Sequence, residues 1–143
     1  RDLHKEYRRQ RQICIRDSVY PVYWWSFPGQ LKGWIDRVFS NGWAYDERPD
    51  GSLGKRLGHL PIHLIGIGGA DGGTYARHGY DKAMRTQIDH GIFDFCGAPV
   101  RTSEFLVDVN GQGGAAHLVT ARGLGSNAFA KEAPQRAATE LAG

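Results

Sequence analysis

The sequence predicts an α/β domain, an open parallel sheet with helices on both faces. Three observations carry that prediction. Apolar runs at Val19–Trp25, Leu60–Ile67 and Arg101–Val109 read as strands, dense in β-branched and aromatic side chains. Helical stretches separate them, and strand alternating with helix is the pattern of right-handed parallel crossovers. The first two strands each run into an unusual loop, aromatic in one case and glycine-rich in the other. A parallel arrangement brings both loops to the carboxyl edge of the sheet, where ligands of open α/β sheets bind.

The first strand ends in Tyr20-Pro21-Val22-Tyr23-Trp24-Trp25, and Ser26-Phe27-Pro28 punctuates it. A helix is expected from about Pro28, because proline fits the first helical turn. Leu31, Trp34, Ile35, Val38 and Phe39 then recur at i, i+3, i+4, i+7 and i+8, one apolar stripe, and Asn41-Gly42 supplies the stop. The loop offers flat aromatic faces and backbone amides, with no acid, base or thiol of its own. It reads as a place that holds a planar molecule. Burial of Tyr23, Trp24 and Trp25 in a core or a dimer interface is the other reading. A strand alternates its faces, however, and cannot bury three consecutive rings in one core.

Asp46–Gly58 reads as an exposed connection with a turn at Pro49-Asp50-Gly51. Leu60–Ile67 is nearly continuous in apolar residues, as a buried parallel strand is, and His63 within it reads as a satisfied core or interface histidine. The glycines of Gly68–Tyr75 predict positive φ angles and close backbone approach. Their spacing is neither a dinucleotide fingerprint nor a Walker loop. A flexible turn and a ligand cradle both fit. Tyr80, Ala83, Met84, Gln87, Ile88, Gly91, Ile92 and Phe95 share one face of a helix that ends at Gly97, with Met84 and the aromatics as core. In the third strand Phe105 and Val107 share a face. Asn110–Gly114 reads as a turn, and Ala115–Leu141 as helix interrupted by Gly123, Gly125 and Pro134.

At 143 residues the chain makes a single domain, residues 1–143. Hydrophobic content of 41% and charged content of 23% are those of a soluble globular protein. The net charge of +3 favours anionic ligands at most. Arg8–Gln12 (RRQRQ) reads as a solvated helix surface, so no nucleic-acid partner is expected. Cys14 and Cys96 have neither metal-ligand spacing nor a disulfide framework, which predicts a reducing cytoplasm and no metal. No run reaches membrane-spanning length, and no signal peptide is apparent, so no membrane insertion is expected.

Tyr20–Pro28 (YPVYWWSFP) followed by Leu31–Phe39 (LKGWIDRVF) closely resembles the signature of the flavodoxin-like NAD(P)H:quinone oxidoreductases. This DT-diaphorase-like group includes bacterial quinone reductases, drug-activity modulators and ancillary subunits of potassium-efflux systems. Gly68–Tyr75 resembles the family's second flavin loop, and His90–Gly97 (HGIFDFCG) its following helix. The resemblance runs from about Arg8 to Val109. It implies a noncovalent flavin, FMN or FAD, across the carboxyl edge of the sheet. Pro21, Val22, Tyr23, Trp24 and Trp25 would contact the flavin ring, and Ile67, Gly68 and Gly69 would approach its pyrimidine edge. Tyr75 matches the tyrosine that hydrogen-bonds that edge. The implied activity is two-electron transfer from NAD(P)H through the flavin to quinones or similar acceptors, in a homodimer. A flavin-binding regulatory subunit of a membrane transport system is the alternative, and a flavin-free interaction module a third reading.

The sequence departs from the family pattern at three places. The family's first strand and diphosphate loop find no match, so a strand–loop–helix of roughly 30 residues is expected to be missing from the N-terminal side. The compressed join at Ile13–Ser18 points the same way. Some members place a charge-relay histidine six residues after the loop tyrosine. Asp81 holds that position here, and His78, three after Tyr75, is either its substitute or a surface histidine. The Gly68–Tyr75 loop is also one residue longer than in the mammalian-type enzymes.

Overall fold

The structure, a computed structural model, describes residues 17–109, 111 and 114–128. The N-terminal charged stretch, Cys14, the join before Asp17 and the helical expectation from residue 129 onward lie outside the described residues. In chain order β1 (Asp17–Pro21) is followed by α1 (Gly29–Val38), then a two-stranded hairpin of β2 (Tyr45–Glu47) and β3 (Leu53–Lys55). Next come β4 (Ile62–Ile67), α2 (Gly72–His78), α3 (Tyr80–Met84) and a π-helix over Arg85–Asp94. The order closes with β5 (Val100–Leu106) and α4 (Gly114–Ala128). The main sheet has the order β1-β4-β5, parallel throughout, with Tyr20 beside Gly66 and Gly66 beside Phe105.

β4 is the central strand, and its alternation decides where the core sits. Ile62 and Leu64 face the helices and are fully buried, together with Met84 and Ile88. Burying each such side chain contributes about 1.5–3 kcal/mol. Tyr20 and Phe27 meet edge to face at 4.5 Å, and Phe27 and Phe39 both meet Phe93. Gly66 is small for a steric reason: a Cβ there would lie 2.9 Å from the Phe105 ring and 3.2 Å from the Tyr20 hydroxyl. His63 is satisfied within the sheet, with Nδ1 2.9 Å from Thr102 Oγ1. Among the described residues no helix is long and apolar enough to cross a membrane.

Four expectations are corrected. The first strand stops at Pro21, and Tyr23–Ser26 turns back on itself. The stretch after Asp46 is no plain connection, because Tyr45–Glu47 pairs antiparallel with Leu53–Lys55 around the turn at Pro49-Asp50-Gly51. Lys55 fastens that hairpin to the π-helix by donating to the Asp94 carbonyl at 2.6 Å. Trp34 lies on the apolar stripe of α1 yet is partly exposed, and Ile35 is the stripe's buried member. The long helix after Tyr80 widens into a π-helix, marked by Phe95 N–H donating to the His90 carbonyl five residues back. A wider turn shifts the buried face, so Phe93 follows Met84 and Ile88 into the core while Phe95 is left 43% exposed.

Leu64→Ala should lower stability by about 2–5 kcal/mol and Gly66→Ala by about 1–3 kcal/mol. Val19→Ala, at a side chain 65% exposed, should change it by less than about 0.5 kcal/mol. Urea denaturation at constant m-value checks the ordering.

Candidate functional site

The carboxyl ends of β1 and β4 are joined directly. Pro21 lies beside Ile67, and Val22 N–H donates to the Ile67 carbonyl at 2.8 Å. Gly68 N–H then bonds the Leu106 carbonyl at 2.9 Å, and Asp108 N–H bonds the Ala70 carbonyl at 2.9 Å. One edge thus collects the aromatic loop, the glycine-rich loop and the end of β5. The residues Pro21, Val22, Tyr23, Trp24, Trp25, Ile67, Gly68 and Gly69 all belong to these two loops or the strand ends that feed them.

Tyr23 and Ser26 exchange both backbone hydrogen bonds, at 3.2 and 3.1 Å, and so close a two-residue turn. Its central residues are Trp24 at φ 51° and Trp25 at φ 55°. Positive φ at both positions is the type I′ hairpin geometry, for which asparagine and glycine are the usual occupants. For a bulky residue this conformation costs about 1–2 kcal/mol. The remaining positive-φ non-glycine among the described residues is Asp108, at the same edge. Trp24 is 88% exposed. Trp25 is stacked on Tyr80, with ring centroids 3.8 Å apart and planes 29° apart. Such pairs contribute about 0.5–1.5 kcal/mol beyond their buried area. Ser26 Oγ donates to Gln87 Oε1 at 2.8 Å, a second tie to the helical layer.

Among the described residues the backbone N–H groups of Trp24, Trp25, Phe27, Gly69 and Ala70 have no intramolecular acceptor. Unpaired amides at an edge flanked by exposed rings suit a flat ligand with acceptors on its rim.

In the second loop the glycines do not adopt positive φ. The loop is shorter than its glycine content implied, because α2 begins at Gly72. Asp71 caps that helix, accepting from Thr74 N–H at 2.9 Å and from the Thr74 hydroxyl at 2.7 Å. Close approach is nevertheless what Gly68 provides. A Cβ at Gly68 would collide with the Tyr75 hydroxyl. Tyr75 sits inside α2, 5% exposed, and its hydroxyl has no acceptor among the described residues. Burial pushes its phenol above the ordinary tyrosine range.

His78 is exposed at the end of α2, and the structure does not bring it against Tyr75. Both rings meet Tyr80 instead, His78 stacked at 5.1 Å and Tyr75 edge to face at 6.3 Å. Tyr80 and Gln87 are the site residues that sequence reasoning missed, having been assigned to a core-facing helical stripe. Nothing local in their sequence signals contact with a loop 55 or more positions earlier.

A cavity of about 650 Å³ lies away from this edge, between the π-helix and β5 and lined by Arg85, Asp89, His90 and Ser103. Asp89 there is raised above the ordinary carboxyl range by burial, opposed by the Ser103 hydroxyl at 3.1 Å and the Arg85 guanidinium. A planar molecule lying across loops needs donors and flat faces rather than a deep cavity. The unpaired amides therefore place the candidate site at the carboxyl edge. No group of His, Cys, Asp and Glu among the described residues is arranged to hold a metal.

The Thr74 hydroxyl and amide hold the Asp71 carboxyl below its ordinary range. A depressed value means the cap's stabilisation of α2 is fully present above about pH 3.9, the unfolded value, and is lost as pH falls through the lower folded one. NMR titration should show the Thr74 amide resonance moving with a carboxyl that titrates below about pH 3.9, and Asp71→Asn should abolish that step.

Comparison with known proteins agrees with this architecture. An uncharacterized NAD(P)H oxidoreductase of Haemophilus influenzae is 31% identical over 109 residues, which span 76% of this chain and 54% of that protein. The mouse ribosyldihydronicotinamide dehydrogenase [quinone] is 30% identical over 116 residues, 78% of this chain and 50% of the relative. The chain thus spans about half the length of the curated relatives it matches. Among solved structures, an NAD(P)H:quinone oxidoreductase from Methanothermobacter marburgensis superposes with a TM-score of 0.64 at 22% identity, over 90% of this chain and 64% of that one. General stress protein 14 of Treponema denticola, solved in complex with FMN, gives 0.53 at 24% identity, over 85% and 67%. The sequence profile of the flavodoxin-like fold matches residues 18–124, from within β1 to within α4, and the chain belongs to that family.

Proposed function

We propose that this chain carries the ring-binding edge of a flavin-dependent NAD(P)H oxidoreductase that delivers two electrons to quinone-like acceptors. The observation that carries the reading is the set of amides at Trp24, Trp25, Phe27, Gly69 and Ala70, unpaired among the described residues and flanked by exposed aromatic rings at one sheet edge. The residues fit the group. Gly68 keeps its position open where a Cβ would collide, and the Tyr75 hydroxyl is buried without a partner among the described residues. The names of the relatives add support, since they are NAD(P)H oxidoreductases and quinone dehydrogenases, and one structural neighbour holds FMN.

A flavin bound there would supply the hydride and electron chemistry, taking two electrons from NAD(P)H and giving two to the acceptor. The protein's share is binding, orientation and charge placement. Trp24, Trp25 and Phe27 would donate backbone hydrogen bonds to the ring's polar rim, while Pro21, Val22 and Tyr23 would pack beside it. Ile67, Gly68 and Gly69 would approach the ring's pyrimidine edge, with Tyr75 as hydroxyl donor there. Donors placed where negative charge develops stabilise the reduced ring and the transition state leading to it. Trp24 offers the free face on which a planar nicotinamide or quinone can rest. Tyr75 stays protonated across the working pH range, because burial raises its phenol, and so remains a donor. His78 faces Tyr80 and is assigned no proton-transfer role.

A homodimer is part of the same reading. Trp34, Phe39 and Trp43 form a chain of ring contacts at 6.2 and 5.7 Å, and Trp43 is 43% exposed. Phe95 and Tyr45 meet at 5.4 Å nearby, beside a cavity of about 200 Å³. An exposed aromatic cluster of this kind marks an interface, and a second copy is its proposed occupant. The proposed setting is the cytoplasm, with no metal and no nucleic acid required.

Purified full-length protein should show flavin absorbance, directly or after adding FMN or FAD, that bleaches anaerobically with NAD(P)H and returns with a quinone. Protein that stays colourless with both flavins overturns the reading. Trp24→Ala should weaken flavin binding by about tenfold. Its stability should change by less than about 0.5 kcal/mol. Trp43→Glu should shift sedimentation from dimer toward monomer.

A further inference from the structure

The tryptophan turn is not self-sustaining. Its two cross-turn backbone bonds close a two-residue turn but do not choose its hand, and neither Trp24 nor Trp25 is a residue that prefers positive φ. Something outside the loop must select the left-handed form. Two contacts reach it from the helical layer. Tyr80 stacks on Trp25 at 3.8 Å, and Gln87 Oε1 accepts the Ser26 hydroxyl at 2.8 Å. Tyr80 also meets Tyr75 edge to face, so a single ring touches the aromatic loop and the helix that follows the glycine-rich loop. It is backed by His78, stacked at 5.1 Å.

We propose that Tyr80 and Gln87 are positioning residues for the ring-binding edge. They hold the Trp24–Trp25 turn in its left-handed form and thereby keep the amides of Trp24, Trp25 and Phe27 presented together. The proposal rests on the flavin reading for its consequence, but its structural part stands apart from it. In the other hand of the turn the peptide planes of Trp24 and Trp25 rotate, and their amides are presented differently. Tyr80 acts through its ring face rather than its hydroxyl, since the contact is stacking. Gln87 acts through a carbonyl oxygen, which glutamate also supplies. The π-helix that carries Gln87 has a function in this arrangement: its wider turn leaves Gln87 exposed on the loop side while Met84, Ile88 and Phe93 fill the core.

The test compares Tyr80→Leu, Tyr80→Phe, Gln87→Ala and Gln87→Glu with the unaltered full-length protein. Near-ultraviolet circular dichroism of the flavin-free protein reads the turn, because Trp24 and Trp25 lie 6.0 Å apart and Trp25 stacks on Tyr80. FMN titration by fluorescence reads the consequence, and far-ultraviolet dichroism confirms the fold. Tyr80→Leu should change the near-ultraviolet bands and weaken FMN by about tenfold, while Tyr80→Phe keeps both. Gln87→Ala, at an exposed side chain that threatens no core, should weaken FMN by about threefold, and Gln87→Glu should restore it. Unchanged bands and affinity in both Tyr80→Leu and Gln87→Ala overturn the proposal, as does Tyr80→Phe failing as badly as Tyr80→Leu. If the unaltered protein binds no flavin, the flavin reading fails, and dichroism alone decides: bands lost in Tyr80→Leu and kept in Tyr80→Phe support positioning, and unchanged bands overturn it.

Discussion

The parallel pairing of β1 with β4, extended by the Val22 amide on the Ile67 carbonyl, is the interaction on which the rest of the structure depends. It places Pro21 beside Ile67, so the chain leaves both strands at the same height and on the same edge. The aromatic loop and the glycine-rich loop become neighbours only for that reason. Because side chains alternate with a period of two, a one-residue slip would move Tyr20 out of the core and set its ring on the opposite face. Gly66 guards the register. Tyr20 and Phe105 flank it on one face, and no other residue leaves room for both.

Backbone strain is distributed unevenly. Among the described residues the three non-glycines with positive φ, Trp24, Trp25 and Asp108, all lie at the carboxyl edge. Strain of this kind persists only where surrounding contacts over-determine it, and it gathers at ligand sites. Here the surroundings are identifiable: two cross-turn hydrogen bonds, the Tyr80 ring and the Gln87 side chain. The edge that looks least stable from its own residues is thus supported from elsewhere in the chain. The support also leaves the loop amides unpaired, a state that bulk water tolerates and a flat acceptor-rimmed ligand would exploit.

The π-helix shows how one departure from regular geometry serves both core and site. A π-helix of ten residues is rare, since such turns normally occur singly. Its wider turn carries Phe93 to the core behind Met84 and Ile88, where it meets Phe27 and Phe39. The same segment bears Gln87 toward the aromatic loop and Asp89 toward Ser103 on β5. Lys55 and the hairpin close over its far end. A regular α-helix would have buried Ile92 and Phe95 more deeply and displaced Phe93.

Much of this was legible in the residues. Apolar runs separated by helical stripes fixed an α/β parallel sheet, and the position of the two loops at strand ends located the candidate edge. The motif around Tyr20–Phe39 pointed to the family. These features are local: they follow from side-chain period, proline and glycine placement, and short motifs, which act within one or two turns of chain. What the residues did not show is non-local. The support of the left-handed turn at Trp24–Trp25 and the roles of Tyr80 and Gln87 arise between segments distant in sequence. No pattern within a window records them. The hairpin was hidden because three-residue strands are too short to show a period. The π-helix was hidden because a stripe spaced at 3.6 residues gives no warning that packing has widened the turn. The sequence by itself determined the parallel strands, the helical stripes between them and the candidate edge. The tertiary structure decided which groups meet there, because hydrogen bonds and ring contacts depend on distances that only packing sets.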